Sequence, residues 1–283
     1  MADITAKQVN DLRVRTGAGL MDCKKALVEA AGDADAAAEI LRKKGAATRD
    51  KKAGRAANEG TVQVFVSDDG KTGALVEVNC ESDFVGKNEL FQSFVKRLAA
   101  HVAATGVVEN LAEQVLHDDP SRKVNDLVTE QVTKTGENLV LGRVKLLKAG
   151  ADGRIQSYLH NGGKIGVLVE VAAPDTEAEA FKALAKGVAM HIAAVAPQFL
   201  HRGQVPAETV EKEKEIATAA ARAEGKPEGA LPNIVNGKLN KFFGEVCLVD
   251  QPYVLENKST VADSAKKAAG AEVKNFVRVK IGE

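Results

Sequence analysis

Two stretches of this sequence are almost the same: GKTGALVEV at residues 70–78 and GKIGVLVEV at residues 163–171. They are identical at seven of nine positions and lie 93 residues apart. The segments 60–66 and 153–159 precede them with the same spacing of 93 residues. Self-similarity at a fixed spacing indicates that one supersecondary unit is repeated along the chain. The sequence therefore predicts a structural unit that occurs twice.

Each copy begins with two segments of β-forming composition. Their residues alternate in polarity or form short apolar runs rich in β-branched side chains. A glycine-containing turn separates the two segments, at 67–70 in the first copy and at 160–163 in the second. This pattern is typical of a β-hairpin, so we predict one hairpin in each copy.

Helices and a third strand follow each hairpin. Four helical patterns occur, at 91–104, about 121–134, 181–194 and about 259–269. The strand-like segments 143–146 and 278–281 then match each other with a spacing of 135 residues. Together these elements predict an α+β fold with two β-β-α-α-β units. Each unit is expected to be an antiparallel three-stranded sheet that carries helices on one face.

The second copy contains an insertion of about 45 residues, because the spacing between copies grows from 90 to 135. The extra residues fall at about 205–250, where a charged helical pattern, a Gly/Pro turn at 225–229 and an apolar helical pattern follow one another. This order predicts an antiparallel helical hairpin. Such an arm could contact a partner protein or a second copy of the chain, which leaves a homodimer open, or it could be purely structural.

The N-terminal region predicts a head of three short helices. Thr5 and Gln8 have the spacing of a capping box for the first helix. Glycines are predicted to end the three helices, at Gly17, Gly32 and Gly45. The predicted divisions are the head at 1–45, a basic linker at 46–59, a first α+β unit at 60–148 and a second at 149–283. The basic run 42–55 is compatible with either a linker or an exposed helix.

Composition excludes several classes of protein. The 283 residues include 39 Lys+Arg and 39 Asp+Glu, and this zero net charge argues against wholesale binding of phosphate backbones. No apolar run approaches the roughly 20 residues of a membrane helix. Residues 1–5 lack the features of a secretory signal. Three widely spaced cysteines favour free thiols in a reducing cytoplasm.

The sequence contains no constellation typical of an enzyme or of a metal site. Gly70-Lys71-Thr72 resembles the end of a phosphate-binding loop, but Phe65 stands where that motif needs a glycine. The histidines lack metal-ligand spacing. His101 and His191 occupy equivalent helix positions, which favours packing or a hydrogen bond between the two halves. We therefore expect no catalytic residues, no metal and no cofactor.

The two copies diverge at one place, residues 79–85, although they agree on both sides of it. One interpretation is local: Ser82 or Asp83 caps the next helix and Phe84 packs against it. The other is functional: a loop tip presents a carboxylate beside an aromatic wedge. The residues alone favour the local interpretation slightly.

Two segments resemble the family of bacterial translation elongation factor Ts. They are LRVRTGAGLMDCKKAL at 12–27 and EVNCESDFV at 77–85. The family usually has threonine where this chain has Ser82, and it has a Met-His-Ile-Ala-Ala segment, seen here at 190–194. The resemblance covers essentially the whole chain, including its duplication and its helical arm.

The resemblance implies a guanine-nucleotide exchange factor for the GTPase elongation factor Tu. It also implies that the head has a ubiquitin-associated-like fold and docks on the GTPase domain. The loop that inserts near the nucleotide and Mg²⁺ would consist of Ser82, Asp83, Phe84 and Val85, with Asp83 and Phe84 as the wedge. The other implied contacts are Arg13, Leu20, Met21 and His191.

A second hypothesis is a protein that binds RNA or the ribosome, motivated by the basic run 42–55. Against it, no aromatic residues interleave with these charges to stack on single-stranded bases. A hydrolase or transferase lacks any supporting motif. Direct nucleic-acid binding is therefore not expected.

Overall fold

The computed structural model describes residues 4–256 and 258–283; residues 1–3 of the predicted head lie outside it. The head contains α1 (Ala6–Thr16), α2 (Leu20–Glu29) and α3 (Ala34–Lys52). Thr5 and Gln8 form the predicted capping box at the start of α1. The buried apolar side chains of the three helices pack on one another and include Val9, Leu12, Cys23, Ala26, Leu27 and Leu41.

Two similar units follow the head. The first contains β1 (Glu59–Val66), β2 (Thr72–Cys80), α4 (Asp83–Lys87), α5 (Glu89–Thr105), α6 (Val124–Thr135) and β3 (Val140–Lys148). The second contains β4 (Gly153–His160), β5 (Ile165–Ala172), α7 (Glu179–Val195), α8 (Ala207–Ala223), α9 (Leu231–Val246), α10 (Val261–Ala269) and β6 (Glu272–Lys280). The strand orders are β1-β2-β3 and β4-β5-β6, and all neighbouring strands are antiparallel. The predicted α+β class with two three-stranded sheets is confirmed.

Each sheet carries its helices on one face and meets the other sheet with the opposite face. The two helix–sheet cores lie between β2, α5 and α6 in the first unit and between β5, α7 and α10 in the second. A third core lies between the sheets and includes Val62, Leu75, Ile155 and Leu168. The layers therefore follow the order helices, sheet, sheet, helices.

The contact between the sheets is reciprocal. A Cβ atom on Gly73 would lie 2.6 Å from Ile155 Cγ2, and one on Gly166 would lie 2.5 Å from Val62 Cγ1. Gly73 and Gly166 are 93 residues apart, and so are Val62 and Ile155. Each copy therefore presents a glycine to a β-branched residue of the other copy, as expected for approximate two-fold symmetry. The repeated glycines allow the sheets to approach closely.

Helix α3 does not end at Gly45, so that prediction is wrong, and the first part of the predicted linker is helical. A Cβ atom on Gly45 would lie 3.0 Å from Thr133 Oγ1 and 3.1 Å from Thr129 Cγ2. Gly45 is therefore a point of close approach between α3 and α6, and the helix continues to Lys52. Only residues 53–58 connect α3 to β1.

The predicted helical hairpin is present as α8 and α9. Their turn includes Gly225, which has a positive φ of 71° that favours glycine. At its base, α9 packs through Phe242, Phe243 and Val246 on a small apolar cluster with Val205 and Cys247. Contact of this arm with a partner, contact with a second copy and a purely structural role stay the three alternatives.

Candidate partner-binding site

The loop after β2 forms a single helical turn, α4. Ser82 precedes it, and the Ser82 hydroxyl accepts a hydrogen bond from the backbone N–H of Val85 at 3.4 Å. The predicted capping role of Ser82 is therefore confirmed. The second half of the local interpretation is wrong, because the Phe84 side chain does not pack against the following helix but is 83% exposed.

The residues around Phe84 hold the turn against the body. Val85 packs partly buried on the core of the first unit. Gly86 is buried so closely against β1 that a Cβ atom there would lie 2.8 Å from the Gly60 carbonyl oxygen. Gln92 donates hydrogen bonds to the carbonyl oxygens of Gly86 (3.2 Å) and of Gly162, in the turn of the second unit (3.1 Å). Phe84 is therefore an exposed aromatic on a firmly supported turn.

The Asp83 carboxylate lies beside Phe84 in the sequence and is half-exposed. Lys87 Nζ donates to Asp83 Oδ2 at 2.6 Å within α4. This hydrogen bond lowers the pKa of the Asp83 carboxyl below its usual value of 3.8. The turn therefore presents a negative oxygen ligand next to an apolar ring at neutral pH.

The head exposes apolar side chains together with charge. The predicted contacts Arg13, Leu20 and Met21 are all exposed. Two further exposed residues, Val14 (80%) and Val28 (53%), escaped the sequence analysis. Met21 and Val28 are seven residues apart on α2, so they share one helical face. Both valines could have been recognised in the sequence as apolar residues that lie outside the buried stripe of their helix.

His191 has no exposed surface. Its Nδ1 accepts from the backbone N–H of Val254 at 3.3 Å, so Nε2 carries the proton and donates to Gln251 Oε1 at 2.9 Å. A direct contact between His191 and a partner would require the segment with Gln251 and Val254 to move away. This contact stays a prediction.

His101 repeats the arrangement of His191 in the first unit. His101 Nε2 lies 2.7 Å from Gln114 Oε1, and its Nδ1 accepts from the backbone N–H of His117 at 3.2 Å. The prediction of a hydrogen bond between the two halves is therefore wrong, since each histidine binds a glutamine of its own unit. Sequence reasoning missed Gln114 and Gln251 because they lie 13 and 60 residues from their histidines.

These buried imidazoles predict a loss of stability in mild acid. Burial lowers the pKa of both His101 and His191 below 6.5. Below about pH 6.5 the unfolded chain therefore binds protons that the folded chain excludes, and the free energy of unfolding falls as pH falls. We expect His191→Gln to reduce this slope, by at most about 1.4 kcal/mol per pH unit, the limit for one proton. Denaturant titrations at a series of pH values measure it.

The control for this experiment is His160→Gln, because the His160 side chain is exposed. It separates the effect of burying an imidazole from the effect of removing a histidine. A slope that His191→Gln leaves unchanged would contradict the assignment of His191 as a buried neutral group.

The basic run 42–55 docks the head on the first unit. Six of its seven basic side chains form hydrogen bonds or ion pairs within the chain: Arg42, Lys43, Lys44, Arg49, Lys52 and Arg55. Arg49 contacts Asn125 and Thr129 of α6, and Lys52 donates to the Gly136 carbonyl. Binding of RNA or the ribosome stays the alternative hypothesis, which an RNA affinity that falls steeply with added salt would support.

The other features that suggested chemistry have structural roles. Gly70-Lys71-Thr72 lies at the β1–β2 turn, where Lys71 Nζ donates to the carbonyls of Gly150, Ala151 and Gly153 at 2.7–3.2 Å. The three cysteines are buried and free. Over residues 4–256 and 258–283, no group of three His, Cys, Asp or Glu side chains could hold a metal ion. In the same residues, no helix is both long and apolar enough to cross a membrane.

Comparison with known proteins identifies the family. A family model described as "Elongation factor TS" matches residues 81–283. The chain is 46% identical to elongation factor Ts of Nautilia profundicola, an alignment that covers 100% of this chain and 94% of that protein. The chain belongs to the elongation factor Ts family. The resemblance inferred from residues 12–27 and 77–85 is thereby confirmed.

Other members of the elongation factor Ts family match over a similar length. The proteins of Trichlorobacter lovleyi and Clostridium kluyveri are 46% and 45% identical to this chain. Each alignment covers 99% of this chain and 93% of the relative. The family model begins at Glu81 and so includes the turn with Phe84, while the relatives also cover the head.

Proposed function

We propose that this chain is a guanine-nucleotide exchange factor for elongation factor Tu, and that the turn with Asp83 and Phe84 inserts near the bound nucleotide and Mg²⁺. The observation that carries the proposal is Phe84, which is 83% exposed on a turn that is anchored on both sides. Aromatic side chains, Phe among them, are enriched in protein interfaces, and the residues that dominate binding cluster near the interface centre. Membership of the elongation factor Ts family supports the choice of partner.

An exchange factor forms no covalent bond and works by binding the nucleotide-free partner more tightly than the nucleotide-bound one. By linkage, the nucleotide weakens binding of the exchange factor by some factor, and the exchange factor weakens binding of the nucleotide by that same factor. A tenfold effect needs about 1.4 kcal/mol of differential interaction. Burying a phenylalanine supplies roughly 1.5–3 kcal/mol, so one inserted ring is a substantial part of the total.

Asp83 would act on the metal. Mg²⁺ requires near-octahedral oxygen coordination at about 2.0–2.1 Å, and it loses affinity when a ligand or a bound water is displaced. A carboxylate brought close to those ligands competes for the ion or for their hydrogen bonds. Ser82 caps α4 and Val85 packs on the core of the first unit, and both hold the turn that carries this carboxylate.

The head would supply a second contact. Arg13, Leu20 and Met21 are exposed side chains of the head, one cationic and two apolar, and Val14 and Val28 add exposed apolar area. Burial of these side chains would provide affinity that does not depend on the nucleotide site. The head then anchors the factor while the turn with Phe84 acts on the nucleotide.

The proposal is tested with elongation factor Tu loaded with a fluorescent GDP. Adding this chain with excess unlabelled GDP should accelerate the fall in fluorescence in a concentration-dependent and saturable way. An unrelated protein at equal concentration is the control. A release rate that this chain leaves at its spontaneous value would overturn the proposed function.

A further inference from the structure

Glu137, in the connection between α6 and β3, binds the base of the turn that carries Phe84. Its Oε2 accepts from the backbone N–H groups of Glu81 and Ser82, both at 3.0 Å. Its Oε1 accepts from the Ser82 hydroxyl at 2.5 Å. One half-buried carboxylate therefore receives three hydrogen bonds from two consecutive residues, and hydrogen bonds to a charged acceptor are the stronger kind.

The neighbours of Glu137 join the same segment to the head. Asn138 is 2% exposed; its backbone N–H donates to Glu81 Oε1 at 2.6 Å and its Nδ2 donates to the Arg55 carbonyl at 2.7 Å. Lys52, at the end of α3, donates to the Gly136 carbonyl. We call residues 136–138 the clasp. It connects the Phe84 turn to the end of the last helix of the head.

Cys80 adds a contact from the strand side of the turn. Its thiol donates to the Ser82 carbonyl at 3.0 Å. Burial, with a smaller contribution from the Glu137 carboxylate, raises the pKa of this thiol to about 12. The thiol therefore remains protonated and available as a donor.

The second copy of the repeat serves as an internal comparison. By strand register the third strands correspond at a spacing of 132 residues, not the predicted 135. Only Ala271 lies between the helix-ending Gly270 and β6, so the second unit has no carboxylate at the place of Glu137. The loop after β5 has no aromatic residue between Ala172 and Thr176. The carboxylate thus binds the loop only in the copy whose loop presents a phenylalanine.

We propose that Glu137 is a positioning residue: it holds the turn with Asp83 and Phe84 in a preformed geometry and, through the clasp, at a fixed position relative to the head. This inference rests on the proposed exchange function. A site that is rigid before binding loses less conformational entropy on binding, so a firm support increases the effect of the inserted side chains.

Glu137→Gln tests the proposal because an amide cannot accept on both atoms. We expect the rate of GDP release at saturating concentrations of the factor to fall about tenfold. The concentration that gives half the maximal rate should change less than threefold, because the head surface is intact. A merely structural role would instead reduce the amount of folded factor and leave the saturating rate unchanged.

A spectroscopic readout tests the same inference without the partner. The chain contains no tryptophan, so Phe84→Trp introduces a single fluorophore on the turn. In this background, Glu137→Gln should increase the amplitude of fast local rotation in the decay of fluorescence anisotropy. The matched control is Glu113→Gln, since Glu113 forms an exposed ion pair with Lys123 and should change neither readout.

The outcomes separate the two proposals. If the parent chain accelerates release and Glu137→Gln changes neither the anisotropy decay nor the saturating rate, the positioning role is overturned. If the parent chain fails to accelerate release while Glu137→Gln loosens the tryptophan, the exchange function fails and the support of the turn stands. Should Glu137→Gln not fold, Ser82→Ala removes one of the three hydrogen bonds, and it must lower the saturating rate for the proposal to survive.

Discussion

Under the proposed exchange function, replacing Phe84 by alanine is expected to slow the stimulated release of GDP from elongation factor Tu by about tenfold to a hundredfold. The ring is 83% exposed in the free chain, so its burial in the complex is a gain that alanine cannot reproduce. For the same reason the stability of the free chain should change by less than about 0.5 kcal/mol. Stopped-flow measurement of labelled GDP and denaturant unfolding give the two quantities.

The control for Phe84→Ala is a second exposed apolar residue. Val115 is 51% exposed in the connection between α5 and α6, and Val115→Ala should leave the release rate at the parent value. If Phe84→Ala released GDP as fast as the parent chain, insertion of the ring would not be the source of exchange. A loss of activity that is matched by a loss of folded protein would also contradict the prediction.

Replacing Gly166 by alanine is expected to lower the free energy of unfolding by about 1–3 kcal/mol. The added Cβ would lie 2.5 Å from Val62 Cγ1 and 3.1 Å from Leu75 Cδ1. Valine is stiff at χ1, and Val62 is fully buried, so the two sheets must separate to relieve the contact. Gly73→Ala should have a similar effect through Ile155. Chemical denaturation of the parent and variant chains measures both.

The matched control for Gly166→Ala is Gly237→Ala. Gly237 lies within α9, and a Cβ atom there would meet nothing within 4 Å. Alanine favours a helix over glycine by roughly 0.8–1 kcal/mol, so this variant should be slightly more stable than the parent. Equal stability changes in Gly166→Ala and Gly237→Ala would contradict the close contact between the sheets.

Much of the fold could be predicted from sequence because its signals are local. Alternating and apolar runs predicted the strands, helical spacing predicted the helices, and the 93-residue repeat predicted that the unit occurs twice. The capping role of Ser82 was also predictable, since it depends on atoms three residues apart. The end of α3 was not predictable, because glycine commonly ends a helix. Only the contact of Gly45 with α6 explains why this glycine lies inside one.

The candidate site was found in part. The divergence of the two copies at 79–85 pointed to the turn, and the family resemblance to Asp83 and Phe84. Whether Phe84 packs inward or faces solvent could not be decided from neighbouring residues. That depends on Gly86 lying against Gly60 and on Glu137, which is 55 residues from Ser82 and carries no recognisable motif.

The sequence by itself determined most of the secondary structure, the duplication, the family and the residues of the turn, because each of these depends on spacing along the chain. The tertiary structure decided which faces meet. It placed Gly73 and Gly166 between two sheets, buried His101 and His191 beside glutamines, and set Glu137 beneath the turn. Hydrogen bonds and packing act over a few ångströms in space, and folding brings residues together that no local pattern relates.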